Sequence, residues 1–538
     1  MSFFSSRRST VHGLNGGVAS SQPLASQVGI EILQKGGNAV DAAISMAIAL
    51  NAVEPMSTGI GGDIFSLIWD PKSEQVHSFN GSGQSSRNSD PNELLAKGYS
   101  EIPTEGAGAP YSVSVPGSVD GWQNILDKFG TISLSESLQP AINLAEKGFP
   151  VSKLIAWQWQ SSLEKLKFRP SGNEMLINGQ APKEGEIVTL PLLANTMKEI
   201  AKDGSDTIYR GSIAKKIAKF VQEEGGWLDE VDLANYKSFW TEPIKTNYRG
   251  IDVFECPPNG QGIAALIALN IVENIDMGKI SRNSSEFYHY LIEAIKLGFS
   301  DALWFVTDPN KTDVPTKELL SKTYSKSLYN QISNDNAMQD IEHGVFQSTG
   351  DTVYVSAIDK NGMGCSLINS LFQGFGSGMV VPGTGIALQN RGALFSLNKN
   401  HPNFLEPNVR PYHTIIPCMA TKDNKLWLSF GVMGGFQQPQ GHLQVISNMV
   451  DYNLDPQDAL DALRFSIDVQ SMETIYVEED LDKKIITDLV NKGHKIEIVS
   501  GNERIMFGGG QICQINSETG VISVSTGGIA IVNEGTSR

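Results

Sequence analysis

The chain has 538 residues, 40% of them hydrophobic and 19% charged, with a formal net charge of −17. That composition is globular, and the length exceeds one ordinary core. An acidic surface repels phosphate backbones, which sets nucleic acid aside as a partner.

Four cysteines, Cys256, Cys365, Cys418 and Cys513, are scattered with no CxxC spacing. They read as inert core thiols in a reducing compartment, and they offer no zinc pattern. The N-terminal "MSFFSSRRSTVHG" has two arginines but no apolar core, so it does not read as a secretory signal. The most apolar early run, "AVDAAISMAIALNAV", is too short to span a membrane and carries Asp41 and Asn51. The expectation is a soluble, cytoplasmic protein with no membrane partner.

In chain order, "QPLASQVGIEILQKGG" predicts a helix stopped at Gly36-Gly37. A buried helix follows, capped by Asn38 and ended by Pro55. "STGIGGDIFSLIWD" predicts a glycine turn feeding an apolar strand. From Pro116 to roughly Pro150 the pattern is helical, with stops at Gly130 and Gly148. Further helices are predicted at "IAKKIAKFVQEEGG", "IAALIALNIVEN" and "SEFYHYLIEAIKLGFSDALWF", the last capped by Ser284 or Ser285. A polar stretch follows Asp308-Pro309, and its second half, about Asn334 to Gly350, reads as an exposed linker. Beyond it the text is β-rich: "TVYVSAID", "MGCSLIN", "GMVVPG", "HTIIPCMAT" and "LWLSFGVMGG". One helix is predicted over "GHLQVISNMVDYNLDPQDALDAL", and the acidic "VEEDLDKK" reads as a solvated face.

The chemistry on offer is narrow. No GKS/T phosphate loop, GxSxG elbow, HExxH or His-x-His occurs, so neither a cofactor nor a metal is expected. "GIGGD" precedes a strand and reads as a tight turn. "GVMGG" follows a strand and precedes a helix, where successive N–H groups can hold an oxyanion. His413, in "RPYHTIIP", is the most site-like histidine. Thr352 stands where a turn meets a strand. A mid-chain threonine lacks a base, but a cut before it would create an α-amine titrating near ~8. That amine and the hydroxyl would put base and nucleophile on one residue. Spacing alone leaves Thr352 an ordinary turn residue.

Several segments together carry more. "GGNAVDAAISMAIALNAVEPMSTGIGGD", "VPGSVDGW", "AEKGFPVS", "PPNGQGI", "LIEAIKLGFSDA", "GDTVYVSAID", "FGSGMVVPGTGIALQNRG", "RPYHTIIP" and "GVMGGFQQPQGH" run in order over nearly the whole chain. In them the chain resembles the γ-glutamyltransferase family of N-terminal-nucleophile hydrolases. The resemblance implies an α+β fold, a four-layer αββα sandwich. It implies a proenzyme that cuts itself between Asp351 and Thr352 into a large subunit, 1–351, and a small one, 352–538. The two stay together, and a further dimer is left open. Thr352 matches the nucleophile, Ser370 a hydroxyl that hydrogen-bonds it, and Gly434 and Gly435 the oxyanion pair. Asn390 falls in the substrate-facing turn.

The departures are as informative. Asn80 stands where the family's arginine holds the substrate α-carboxylate. Leu394 replaces the acidic residue for the α-amino group, and an ammonium unpaired there would cost several kcal/mol. Arg391 takes a glutamine's place, and His413 and Thr414 replace a serine pair. The pattern is more like the divergent branch that includes oxamate amidohydrolase and acylases. A small amide is the expected substrate, and an anionic one would suit Arg391 and His413 as carboxylate partners. Two other readings stand beside a γ-glutamyl-type amidohydrolase: an oxamate-type amidohydrolase or acylase with a rebuilt pocket, and an inactive family member acting as a binding or scaffold protein.

Overall fold

The computed structural model describes residues 8–339, 341, 351–526 and 528–531; for Asp351 and 528–531 it describes the backbone alone. The predicted linker therefore lies largely outside the described residues. Its described start is anchored: the Met338 N–H donates to Glu293 (2.7 Å) and the Ala337 N–H to the Lys492 carbonyl (2.7 Å).

Two seven-stranded antiparallel sheets form the centre. One runs Gly528–Ile531, Gly16–Ser20, Asp351–Asp359, Gly364–Phe372, Asp63–Asp70, Gln75–Gly81, Phe239–Thr241. The other runs Val11–Gly13, Ile522–Ser525, Gly510–Ile515, Lys425–Val432, Cys418–Lys422, Ile251–Glu255, Ile244–Tyr248. Both sheets mix strands from either side of residue 351, so the Asp351–Thr352 bond divides no folding unit.

The layering follows from the strands' period-two patterning. Along Asp351–Asp359, Val353, Val355 and Ala357 join the core beneath one helix layer. Tyr354 and Ile358 join the core between the sheets, with Phe65, Ile368, Met419 and Val524. Helices Pro23–Gln34, Ala39–Val53, Leu134–Lys147 and Pro191–Asp203 pack over the first sheet. Gly262–Val272, Ser285–Phe305 and Gln437–Asp451 pack over the second. The result is the αββα sandwich.

Local signals explain the elements that frame the site. Asn38 caps Ala39–Val53, accepting from the Val40 and Asp41 N–H groups (2.9 and 3.0 Å), while Asp41 accepts from the Asn38 N–H (2.8 Å). Every residue of that helix is buried, as its apolar text requires. Ser284 caps the 21-residue helix Ser285–Phe305 through the Phe287 N–H (3.2 Å).

Three expectations are corrected. "HTIIPCMAT" is a strand only over Cys418–Lys422, because the His413–Pro417 backbone bonds into the interior instead. The late helix begins earlier, at Gln437, and breaks before a separate Pro456–Asp461 helix that Asp455 caps. "VEEDLDKK" is not wholly solvated: Glu478 is buried, held by Arg504. Among the described residues no helix is long and apolar enough to cross a membrane.

Candidate active site

Thr352 is the second residue of strand Asp351–Asp359 and sits at an irregularity. The pairing with Gly364–Phe372 shifts register between Asp351 and Val353. The residue is buried, and it lies at the edge of a cleft of about 1450 Å³ between the sheets' ends. Its Oγ1 sits 3.1 Å from Ser370 Oγ. Two donors hold that serine oxygen in place, the Phe372 N–H (2.8 Å) and Arg391 Nη2 (3.0 Å).

"GIGGD" explains how the chain packs so tightly here. A Cβ on Gly62 would lie 2.3 Å from the Ser370 carbonyl oxygen, so only glycine lets this turn pass against the Ser370 strand. The aspartate that follows, Asp63, is in register with Ser370.

The "GVMGG" turn forms the cleft's other side. Gly434 lines it with φ +132°, a conformation that favours glycine. Gly435 stands behind it, its carbonyl accepting from Gln261 Nε2 (2.9 Å). The N–H groups of Gly434 and Gly435 donate to no protein acceptor among the described residues.

The remaining sequence-predicted residues are brought together, but behind the cleft wall. Asn390, Arg391, His413 and Thr414 are each 0% exposed. Arg391 Nη1 donates to Thr414 Oγ1 (2.6 Å), its guanidinium lies 4.6 Å over the Phe372 ring, and its Nε has no hydrogen-bond partner among the described residues. Asn390 Nδ2 donates to Gln373 Oε1 (2.8 Å), and Gln373 lines the cleft. His413 faces Asp63, not open space: Nε2 is 2.9 Å from Asp63 Oδ2. The Ile415 N–H points at Nδ1 (3.4 Å), which assigns the proton to Nε2.

Electrostatics centre on Asp63 and Arg391. Burial pushes the Asp63 carboxyl up to about 7, while Arg391 and the donors on Gln389, Gly83 and Gly117 pull it down. Burial pushes Arg391 down to about 9, with Asp63 opposing. His413 is driven well below its ordinary range, first by burial and then by Arg391, and stays neutral.

The family's clamp positions are filled otherwise. Asn80 Nδ2 donates to Asn259 (2.9 Å), and its Oδ1 accepts from Ser82 N–H (2.9 Å) and Oγ (2.8 Å). Leu394 belongs to the apolar core.

Among the described residues two buried clusters have metal-ligand composition, Glu255/Cys418/His442 and His289/Glu293/His494. Each is only partly engaged by protein: among the described residues, Glu255 Oε2, Glu293 Oε1 and His494 Nδ1 reach no hydrogen-bond partner. His442 Nδ1 bonds Glu255 (2.7 Å) and its Nε2 accepts the Val432 N–H (3.3 Å), which steadies the strand end entering the glycine turn. His289 bonds His494 (2.8 Å) and the Ser333 carbonyl (2.7 Å), and Lys296 lies 3.4 Å from Glu293. All four cysteines are free and buried.

Sequence reasoning passed over Asp63 and Gln373. Asp63 had a signal, as the one charge after a glycine turn. Gln373 had none, since only tertiary packing brings it to the cleft.

The gamma-glutamyltranspeptidase family model matches residues 25–527. The chain is 37% identical over 493 residues to "Glutathione hydrolase-like YwrD proenzyme" of Bacillus subtilis (strain 168), covering 91% of this chain and 92% of that protein. It is 31% identical over 498 residues to "Oxamate amidohydrolase proenzyme" of Klebsiella pneumoniae subsp. pneumoniae, covering 91% and 92%. In structure it resembles a cephalosporin acylase from Bacillus halodurans, with TM-score 0.92, 41% identity, and coverage of 99% and 98%. With the sandwich, the cleft and these likenesses in agreement, the chain belongs to the gamma-glutamyltranspeptidase family of N-terminal-nucleophile amidohydrolases.

Proposed function

We propose that Thr352 is the nucleophile of a self-processing amidohydrolase, and the observation that carries this is its 3.1 Å contact with Ser370 Oγ at the cleft edge. In processing, Thr352 Oγ attacks the Asp351 carbonyl carbon, and the C–N bond breaks as the proton passes to the nitrogen. That break frees the Thr352 α-amine and leaves an ester on Oγ, which water then opens to give the Asp351 carboxylate and the free Thr352 hydroxyl. In turnover that amine takes the Oγ proton, Oγ attacks the substrate carbonyl, and the leaving amine receives the proton. Water releases the acyl group. Gly434 and Gly435 N–H groups hold the oxyanion in both halves. Arg391 and Ser370 position the nucleophile from behind the wall.

The substrate class we favour is an acylase-type amide, not a γ-glutamyl one. Asn80 is committed to Asn259 and Ser82, and Leu394 offers an ammonium no partner. His413 and Arg391 are likewise committed, to Asp63 and to Ser370 with Thr414. The relatives named for acylase and oxamate amidohydrolase activities support this preference.

Intact mass and denaturing gels of wild type and Thr352→Ala test the processing step. Two pieces parting at Asp351–Thr352 are expected for wild type and one chain for the variant. A panel of glutathione, a γ-glutamyl anilide, oxamate and acyl anilides tests the substrate class; fast, selective turnover of glutathione would sink it. An uncut wild type with no amidase activity would favour the binding-protein reading.

A further inference from the structure

Gln261, in the "PPNGQGI" segment, stands just before helix Gly262–Val272 and is fully buried. Its side-chain amide makes three hydrogen bonds. Nε2 donates to the Gly435 carbonyl (2.9 Å) and to the Thr414 carbonyl (2.7 Å), and Oε1 accepts from the Tyr412 hydroxyl (3.0 Å). Carbonyls only accept, so the nitrogen end of the amide must face the two of them, and both of its N–H groups are used. The Gln261 backbone N–H donates to the His413 carbonyl (3.0 Å), which fixes where the side chain starts.

The two carbonyls belong to opposite arms of the site. Gly435 is in the glycine turn, whose backbone resists little by itself. There the Gly434 carbonyl accepts the Gln437 N–H (2.9 Å), and the Gly435 carbonyl accepts the Gln438 N–H (3.3 Å) as well as Gln261. Thr414 is in the nucleophile arm. Its Oγ1 accepts from Arg391 Nη1, Arg391 Nη2 donates to Ser370 Oγ, and Ser370 Oγ sits 3.1 Å from Thr352 Oγ1. One amide group therefore ties the turn to the run of bonds that ends on Thr352.

We propose that Gln261 is a positioning residue of this site, holding the oxyanion turn in register with the nucleophile. This rests on the reading of Thr352 as the nucleophile and of the Gly434 and Gly435 N–H groups as the oxyanion donors. An oxyanion donor is effective where it already points at the developing charge. A tether that fixes the turn therefore acts on the transition state and leaves ground-state binding alone. Buried behind the turn, Gln261 does not line the cleft, so its effect passes through Gly435 and Thr414.

Gln261→Met keeps an unbranched side chain of similar length without the donors. Rates are read on glutathione, γ-glutamyl-4-nitroanilide, oxamate and butyryl-4-nitroanilide, on whichever of them wild type turns over, and are referred to the cut, folded protein. In Gln261→Met kcat should fall about 10- to 100-fold with KM little changed and the fold retained by circular dichroism. The double variant Gln261→Met/Gly434→Ala should be no slower than Gly434→Ala alone, because the tether then has no working turn to position. A kcat equal to that of wild type, a change in KM alone, or losses that multiply in the double variant overturn the proposal. Should Gln261→Met fail to fold or to cut, Gln261→Glu takes its place under the same criteria, since it keeps the acceptor for Tyr412 and loses the paired donors. A wild type that neither cuts nor hydrolyses fails the nucleophile reading, and the proposal with it; an active wild type matched by the variant overturns the proposal alone.

Discussion

Thr352 Oγ1 lies 3.1 Å from Ser370 Oγ, across neighbouring strands whose pairing slips just there. The slip frees the threonine hydroxyl from regular ladder geometry and turns it to the serine. Thr352→Ala removes the hydroxyl for both the cut and turnover, so a single uncut, inactive chain is expected. Ser370→Ala keeps the nucleophile but loses its partner. Slow cutting and a kcat lowered about tenfold are expected, a typical cost of one hydrogen bond to a reacting group. Time-resolved gels and steady-state rates read both; unchanged rates in Ser370→Ala would remove the serine from the site.

Gly434 sits at φ +132°, and a methyl added there would meet only ordinary contacts, Gly508 Cα at 3.4 Å and Gln437 Cβ at 3.5 Å. The burden of Gly434→Ala is therefore backbone conformation, not collision. Re-aiming the N–H should cut kcat about 10²- to 10³-fold, as for loss of an oxyanion donor. Circular dichroism should show the fold retained. Normal kcat with normal folding would place the oxyanion elsewhere.

Most helices and the β-rich stretch beyond the linker were legible because period and caps agree, as at Asn38 and Ser284. The site was legible only in part. The Gly434 turn had a local signal, a glycine run between strand and helix, whereas Thr352 and Ser370 stood out only through the family resemblance. Where Arg391 and His413 point was not legible, since each is turned inward by a partner distant in sequence, Ser370 and Asp63. Glu478 was misread for the same reason: its burial depends on Arg504, which "VEEDLDKK" does not contain.

Arg391 holds two hydroxyls at once, Ser370 (3.0 Å) and Thr414 (2.6 Å). Arg391→Gln leaves the serine with fewer donors and removes the cation that faces Asp63. We expect kcat to fall about 10- to 100-fold, the range for a lost charge-assisted hydrogen bond, with KM little changed. A rise in KM alone would mean Arg391 meets the substrate directly. Arg391→Lys, which keeps the charge near Asp63, should recover stability better than rate.

Asp63 ties this arrangement to pH. Its carboxyl is pushed from an ordinary 3.8 up to about 7, chiefly by burial. Between those values the folded chain holds a proton that the unfolded chain has lost. Stability from this group is therefore full below about pH 4 and is lost as pH rises to about 7. Asp63→Asn cannot titrate. The stability advantage of wild type over Asp63→Asn should shrink across that window and then level until Arg391 begins to lose its proton near 9. Paired thermal unfolding curves at several pH values read this directly. A difference that stays constant from pH 4 to 7 would mean Asp63 titrates outside the window, with its charge kept by Arg391 and the His413 N–H.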